Sequence, residues 1–537
     1  MRSIEIPQPA DRDWRYRSFE ILPGAISWTV LSAPFILGLL SAEVAAYFAI
    51  AYLLTWFARG IAVDVSAMRG WRTMNQHKKL PWEKLNQDLE DLTPKTKNAP
   101  AWHFRNIARV EKYMSGYRMK PSEIYHAVII AFVNEPQEIV EPTVQSVLAG
   151  EYDMKKVILV LAYEGRGGQP SEDLANYLIK KYGSHFYHAM AIKHPANMPG
   201  EIIGKGGNVT FAGRELKKYI DQEKIDPLRI LVTTLDCDNR PDPKYLGALT
   251  YTYCSTEDPK HASYQPITMY LNNIWDAPAP MRVIASGNSF FNVTMSMRPH
   301  MLRNFSAHAQ PLAALIDTDF WSVRTIVEDG HQFWRTYFRY DSNHQVFPIY
   351  IPIYQDAVLT DSYKRTLKAQ FIQIRRWAYG ASDIAYFANQ AFIKKNKIPR
   401  HKLFGKFFRL LEGHISWATM PLILLLAAYP ALFLHPQSYL ANQLPHLASW
   451  LQRIAMAGIL ISLFVAMRSL PPKPARYKHR RIFWMIIQWI YMFITPILYN
   501  AFAALNSQTR LMFGWYLGKF DLTEKAIKSE RANVSDM

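Results

Sequence analysis

The chain has 537 residues, room for a sizeable folded domain and more, and carries 62 Lys and Arg against 44 Asp and Glu, a net charge of +18. That balance suits an anionic bilayer face or a polyphosphate substrate; with no zinc-finger spacing or Lys/Arg-rich recognition module, no nucleic-acid partner is expected. Two cysteines, Cys237 and Cys254, exclude a disulfide framework, while 15 Trp and 30 Tyr are in keeping with membrane interfaces and sugar clefts.

Residues 1–24 form a short, charged, aromatic arm without a small-residue cleavage site, so no removable signal peptide is expected. Residues 25–63 are almost uncharged, interrupted only by Glu43 and Arg59. This run is too long for one span of ~20 residues and reads as two, 25–40 and 44–57, with a turn within 38–43. One long tilted helix is the alternative. Residues 64–124 are polar and basic, as in a cytoplasmic linker.

The periodicity then changes. Short apolar runs at 126–133, 156–163, 187–192 and 230–235 read as strands, and 138–148, 171–182 and 209–219 read as helices, with Ser171 as an N-cap. This alternation predicts an α/β fold with a parallel, doubly wound sheet, whose ligands bind at the carboxyl ends of the strands. Glu135, Glu164 and Asp236-Cys237-Asp238 all fall at strand ends.

Asp236 and Asp238, one residue apart in a loop, can reach one hard cation, Mg2+ or Mn2+ bridged to a diphosphate. The same pattern also describes an ordinary acidic turn. Gly204-Lys205-Gly206-Gly207 lacks the spacing of a Walker A loop; either a flexible loop brings Lys205 to a phosphate, or the stretch is a plain turn. Glu328-Asp329 opens a helical segment, where a carboxylate is a favourable partner for the helix dipole or a general base for an acceptor hydroxyl. Gln373, Arg376 and Trp377, at i, i+3 and i+4, share one helix face. An indole can stack on a sugar and a guanidinium can bind phosphate oxygens; the bland reading is a basic helix packed near the membrane.

After Trp377 the sheet pattern ends. Residues 391–412 include an amphipathic interfacial stretch, and 413–506 hold at least three membrane-length segments, 415–434, 450–467 and 482–505. The loop 468–481 is strongly basic and expected on the cytoplasmic side. Three crossings would put the basic tail 507–537, with Arg510, Lys519, Lys525 and Lys528, on the opposite side. A fourth crossing or a bend near Pro496 removes the conflict.

In this order the motifs resemble those of membrane-bound family 2 glycosyltransferases, the cellulose-synthase-like group, over nearly the whole chain. Asp236-Cys237-Asp238 matches the family's acidic strand-end motif. Val327-Glu328-Asp329 matches its Thr-Glu-Asp with Val for Thr, and Gln373-Ile374-Arg375-Arg376-Trp377 matches its Gln-x-x-Arg-Trp completely. The resemblance implies a GT-A (Rossmann-like) catalytic domain at 125–390 flanked by transmembrane α-helices, in a bacterial inner membrane with the catalytic domain cytoplasmic. It implies metal-dependent, inverting transfer from a nucleotide-diphosphate sugar to a glycan or lipid-linked acceptor. Asp329 would be the base beside Glu328. Asp236 and Asp238 would serve the metal, Glu135, Glu164, Lys205 and Asp236 the nucleotide, and Gln373, Arg376 and Trp377 the acceptor and diphosphate. One departure concerns the nucleobase end: Glu164 stands where the family usually places an Asp-Asp-Gly-Ser element, and UDP is the default. The competing readings are transfer of a single sugar to a polyprenyl phosphate and, more distantly, a non-catalytic membrane scaffold or transport subunit.

Overall fold

The computed structural model describes residues 3–114, 116, 118–519 and 525; Lys528 and most of the tail beyond Lys519 lie outside the described residues. Two long helices open the chain, α1 (Trp14–Leu40) and α2 (Ala42–His77). They part at Ser41, whose extended backbone interrupts the helix and whose side chain caps α2 by accepting from the amides of Glu43 and Val44. The 25–63 stretch is therefore two helices, not one. With 36 residues, α2 is ~54 Å long, well beyond a ~30 Å hydrocarbon core. Its far end reaches the sheet, where Lys78 meets Tyr354.

The expected linker is largely helical. After α2 come α3 (Trp82–Asp91) and α4 (Ala101–Met114), and Trp82, Leu85, Leu89, Ile107 and Val110 bury their side chains in the main core beside the sheet. The strands β1 (Tyr125–Phe132), β2 (Val157–Glu164), β3 (His188–His194) and β4 (Ile230–Asp236) alternate with α5 (Gln137–Leu148), α6 (Gly168–Tyr182) and α7 (Lys205–Glu223). They pair in parallel in the order β3-β2-β1-β4. Covered on both faces, β1 and β2 bury nearly every residue, which is why they read as unbroken apolar runs. Ser171 is not an N-cap: α6 begins at Gly168, and the Ser171 hydroxyl donates to the carbonyl of Val133.

Beyond β4 the sheet turns mixed. Short β5 (Arg240–Pro241) leads to α8 (Tyr245–Cys254), β6 (Ala262–Met269), α9 (Ala279–Ser296), β7 (Ala309–Pro311), α10 (Leu312–Asp317), α11 (Glu328–Arg339) and β8 (Gln345–Tyr354). The full order is β3-β2-β1-β4-β7-β6-β8-β5, with β7 antiparallel to both neighbours. This is a GT-A-type α/β sheet. Sequence periodicity missed its second half because β6 and β8 are interrupted by Pro266, Pro348 and Pro352, with a register shift at Pro266.

The chain continues through α12 (Tyr363–Ala378), α13 (Asp383–Ala388), α14 (Arg400–Leu426), α15 (Tyr429–Leu434) and α16 (Tyr439–Ser469). It ends in α17 (Arg480–Ile487) and α18 (Phe502–Phe513). Among the described residues α1, α2 and α16 are each long and apolar enough to cross a membrane. A further pair, Arg480–Phe493 and Pro496–Phe513, is bent by 52°. The bend falls where Pro496 suggested it. Both ends of the bent pair lie towards the catalytic domain: Arg481 donates to the carbonyl of Trp275, and Arg17, at the start of α1, donates to the carbonyl of Leu511. At the opposite end of the bundle His435 meets the carbonyl of Gly38, 2.6 Å away.

Candidate active site

The parallel strands leave β1 in opposite directions, β2 to one side and β4 to the other, and the crevice at such a switch point is where α/β sheets bind ligands. At its floor lies Asp236, the last residue of β4. One carboxylate oxygen, Oδ1, accepts from Lys205 Nζ at 2.6 Å. The other, Oδ2, accepts from Ser306 Oγ at 2.7 Å and Gln355 Nε2 at 3.1 Å. Burial pushes the Asp236 carboxyl up, but the Lys205 ammonium outweighs it and holds it well below the usual carboxylate range. Reciprocally, Lys205 is held above its ordinary value: burial works against its charge, while Asp236 and Glu328 favour it.

Lys205 is neither a loop residue nor part of a plain turn. It is the first residue of α7, directly after Gly204. The glycines around it permit close packing: a Cβ on Gly206 would sit 2.3 Å from the carbonyl oxygen of Ser322. That contact ties the start of α7 to the segment leading into Glu328 and Asp329.

Asp238 lies two residues beyond Asp236 yet faces different partners. Its Oδ2 accepts from the amide of Asp356 at 3.2 Å, and its Oδ1 lies 2.8 Å from Nζ of Lys525. The Lys525 ammonium is also 3.3 Å from Cys237 Sγ. The two aspartates thus have different partners, and among the described residues no three His, Cys, Asp or Glu side chains form a cation cage. The donor set nevertheless fits a hard cation of the Mg2+ or Mn2+ type. Asp238 offers an oxygen that already holds a positive group, and such ions complete their shell with water and substrate phosphate.

Glu328 and Asp329 form the first turn of α11. Glu328 is buried, and burial, then the adjacent Asp329, raises its carboxyl above the ordinary range. Burial raises Asp329 too, against the pull of Lys205. Asp329 Oδ1 accepts from the Gly330 amide at 2.6 Å. The loop before α11 is braced from the N-terminus: Ser322 Oγ donates to Glu5 at 2.5 Å, Arg324 to the carbonyl of Ile6 at 3.0 Å, and buried Arg335 to the carbonyls of Thr318 and Phe320.

Gln373, Arg376 and Trp377 do share α12. The Trp377 ring lies 6.0 Å from that of Tyr270, and Gln373 accepts from Gln370 at 3.2 Å. Tyr270 is a central residue that sequence reasoning missed. Burial raises its phenol, followed by the carboxylates of Asp236, Asp238 and Asp329, with Arg376 opposing them. Contacts link the motifs: Gln355 donates its amide to the carbonyl of Met269, next to Tyr270, and its side chain to Asp236, Trp377 lies against Tyr270, and Gly206, beside Lys205, packs on Glu328.

The remaining acidic residues sit further along the edge. Glu135 accepts from the amide of Val133 at 2.8 Å, and Glu164 pairs with Arg166. Ser306, Gln355, Tyr270 and Lys525 were the residues missed. Tyr270 and Gln355 directly follow the proline-interrupted β6 and β8, Ser306 lies in the loop before β7, and Lys525 lies 288 residues from Cys237, where no local signal points to it.

The family described as "Glycosyl transferase family group 2" matches residues 231–505, just over half of the chain, and the chain belongs to it. It is a family 2 glycosyltransferase, an enzyme that takes its sugar from a nucleotide sugar. No curated protein matches it. Among solved structures, the mannosyltransferase PcManGT from Pyrobaculum calidifontis, in complex with GDP-Man and Mn2+, is 12% identical, with a TM-score of 0.39 over 84% of this chain and 100% of that one. S. aureus TarS 1-349 in complex with UDP-GlcNAc is 10% identical, with a TM-score of 0.35 over 73% of this chain and 93% of that one.

Proposed function

We propose that the chain is a membrane-embedded, inverting glycosyltransferase of the cellulose-synthase-like group, extending a glycan from a nucleotide-diphosphate sugar, UDP by default. The observation that carries this reading is the link between the strand-end motif and α12: Gln355 donates its amide to the carbonyl of Met269, next to Tyr270, and its side chain to Asp236, and the Trp377 ring lies 6.0 Å from that of Tyr270. Residues 125–390 are the catalytic unit, and 25–63 and 413–506 the membrane regions. The basic loop before α17 supports a cytoplasmic catalytic domain, because Arg476 pairs with Asp276 of that domain.

In this reading Asp329 accepts the proton of the acceptor hydroxyl, which attacks the anomeric carbon in line with the departing diphosphate. Its raised carboxyl makes it a stronger base than an exposed aspartate. Asp238 would hold Mg2+ or Mn2+, which would supply positive charge for the diphosphate. Arg376 adds a guanidinium to that charge, and Asp236, fixed by Lys205, shapes the nucleotide side with Glu135 and Glu164. Trp377 and Tyr270 supply an aromatic surface for the acceptor sugar, and Gln373 stands one helical turn before Trp377. One displacement gives a β-linkage from an α-linked donor.

Incubating the membrane-bound enzyme with labelled donor and extracting into organic solvent tests the acceptor class. Label retained in a glycan fraction supports synthesis of a polysaccharide. Label confined to a short lipid-phosphate sugar assigns the enzyme to single-sugar transfer onto a lipid.

A further inference from the structure

The helix that carries Asp329 is also held by a buried pair that the transfer reaction itself does not use. His331 lies two residues beyond Asp329 in α11, and its Nδ1 is 2.6 Å from Oδ1 of Asp383 on α13. His331 is fully enclosed and Asp383 is only 4% exposed. An ionised carboxylate accepts and cannot donate, so Nδ1 carries the proton. His331 Nε2 has no hydrogen-bond partner among the described residues. The ring is therefore tied through one nitrogen to one carboxylate. Tyr386, three residues after Asp383 and on the same face of α13, stands at 70° to the imidazole with ring centroids 4.4 Å apart. Its hydroxyl is fixed in turn by donating to the carbonyl of Ile4 at 2.8 Å.

The start of α11 lacks the usual local restraint. The first amides of a helix have no partner within it, and a Ser, Thr, Asp or Asn at the N-cap ordinarily secures that turn. Here the N-cap is Val327, and no side chain caps the helix. Glu328 and Asp329 thus stand on an uncapped turn, and His331 reaches from that turn to a neighbouring element. That element is continuous with the acceptor-side motif. It follows α12 through the single turn Tyr379–Ser382, so Asp383 stands six residues after Trp377. The His331–Asp383 hydrogen bond joins the helix bearing Asp329 to the segment bearing Gln373, Arg376 and Trp377.

We propose that His331 and Asp383 are positioning residues for sugar transfer: their hydrogen bond fixes the first turn of α11, and with it the Asp329 carboxylate, against the α12–α13 segment. The proposal rests on the reading of Asp329 as the base. Both residues act through the helix rather than on the substrate.

The test is steady-state nucleotide release by the full-length enzyme, with thermal unfolding of each variant alongside. The donor is the nucleotide sugar that wild type turns over fastest in a panel of UDP- and GDP-sugars. His331→Asn places an amide N–H where Nδ1 stands, whereas His331→Gln places it where Nε2 stands. A misplacement of ~1 Å at reacting groups costs about 10²-fold in rate, so His331→Gln should lower kcat by about 10- to 100-fold at unchanged donor KM. His331→Asn should recover most of that loss, although both variants remove the ring. Removing Asp383 outright would also strip Arg303 of a carboxylate that favours its charge against burial. Asp383→Asn keeps the volume and an acceptor oxygen but loses the charge that strengthens the bond. It should lower kcat at unchanged donor KM, and it carries the test if His331→Gln does not fold. Equal kcat losses in the two His331 variants, tracking equal losses of thermal stability, would make His331 a packing residue and overturn the proposal. Wild-type kcat in His331→Gln or, failing that variant, in Asp383→Asn would overturn it too, as would a change confined to donor KM. Asp329→Asn separates the two readings. Unchanged turnover in Asp329→Asn refutes the base and this proposal with it; turnover lost there but intact in His331→Gln refutes this proposal alone.

Discussion

Lys205 Nζ lies 2.6 Å from Asp236 Oδ1, joining the first residue of α7 to the last residue of β4 across the floor of the crevice. The pair is half-buried, Lys205 more than Asp236, and removing Lys205 leaves Asp236 with only Ser306 and Gln355 as donors. Water still reaches Asp236, so the loss is smaller than the about 3–5 kcal/mol of a fully buried pair. Lys205→Met should therefore lower thermal stability as well as activity, read by unfolding of the purified protein with and without donor. A variant of wild-type stability would show that Asp236 has other compensation.

Asp238 and Lys525 make a paired prediction. The Lys525 ammonium rests on the carboxylate assigned to the divalent cation, so the two compete. Asp238→Ala should raise the Mg2+ or Mn2+ concentration for half-maximal nucleotide release by tenfold or more, roughly 1.4 kcal/mol or more. Lys525→Met should lower it. Metal titrations of the two variants moving in the same direction would contradict the assignment.

The pH profile follows from Asp329. Its carboxyl is raised by burial, against the opposing Lys205 charge, and it works as a base only when deprotonated. Activity is thus present at high pH and lost as pH falls through the raised value. The acid limb of kcat/KM should lie above the ordinary aspartate value of about 3.9 and belong to the Glu328–Asp329 pair as a unit. A limb at or below that value would place the titrating group elsewhere.

Trp377 and Tyr270 should govern the acceptor side. An aromatic contact of this kind is worth about 0.5–1.5 kcal/mol, so Trp377→Ala should raise the acceptor KM by up to roughly tenfold. Donor binding, followed by calorimetry, should stay unchanged. A loss confined to donor affinity would move Trp377 to the nucleotide side.

Local pattern carried the sequence reading a long way in some places and failed in others. The strands β1, β2 and β4 were legible because burial on both faces gives continuous apolar runs, and the half-buried edge strand β3 by its short apolar stretch. The i, i+3, i+4 spacing placed Gln373, Arg376 and Trp377 on one helix face, and Pro496 marked the bend. By contrast, β6 and β8 were hidden by prolines, and β7 is only three residues long. Lys205 stayed ambiguous because its role depends on Asp236, 31 residues away, and on glycine contacts with Ser322. Ser306, Gln355 and Tyr270 reach Asp236 or its neighbours only through tertiary packing. No periodicity signals such contacts.

The most direct measurement of the central claim is nucleotide release from a panel of nucleotide sugars by the full-length enzyme with Mg2+ or Mn2+, comparing wild type with Asp329→Asn. Wild type should turn over at least one donor. The variant should retain donor binding and fold while losing about 10²–10⁴-fold in rate. Unchanged turnover in Asp329→Asn would contradict the account.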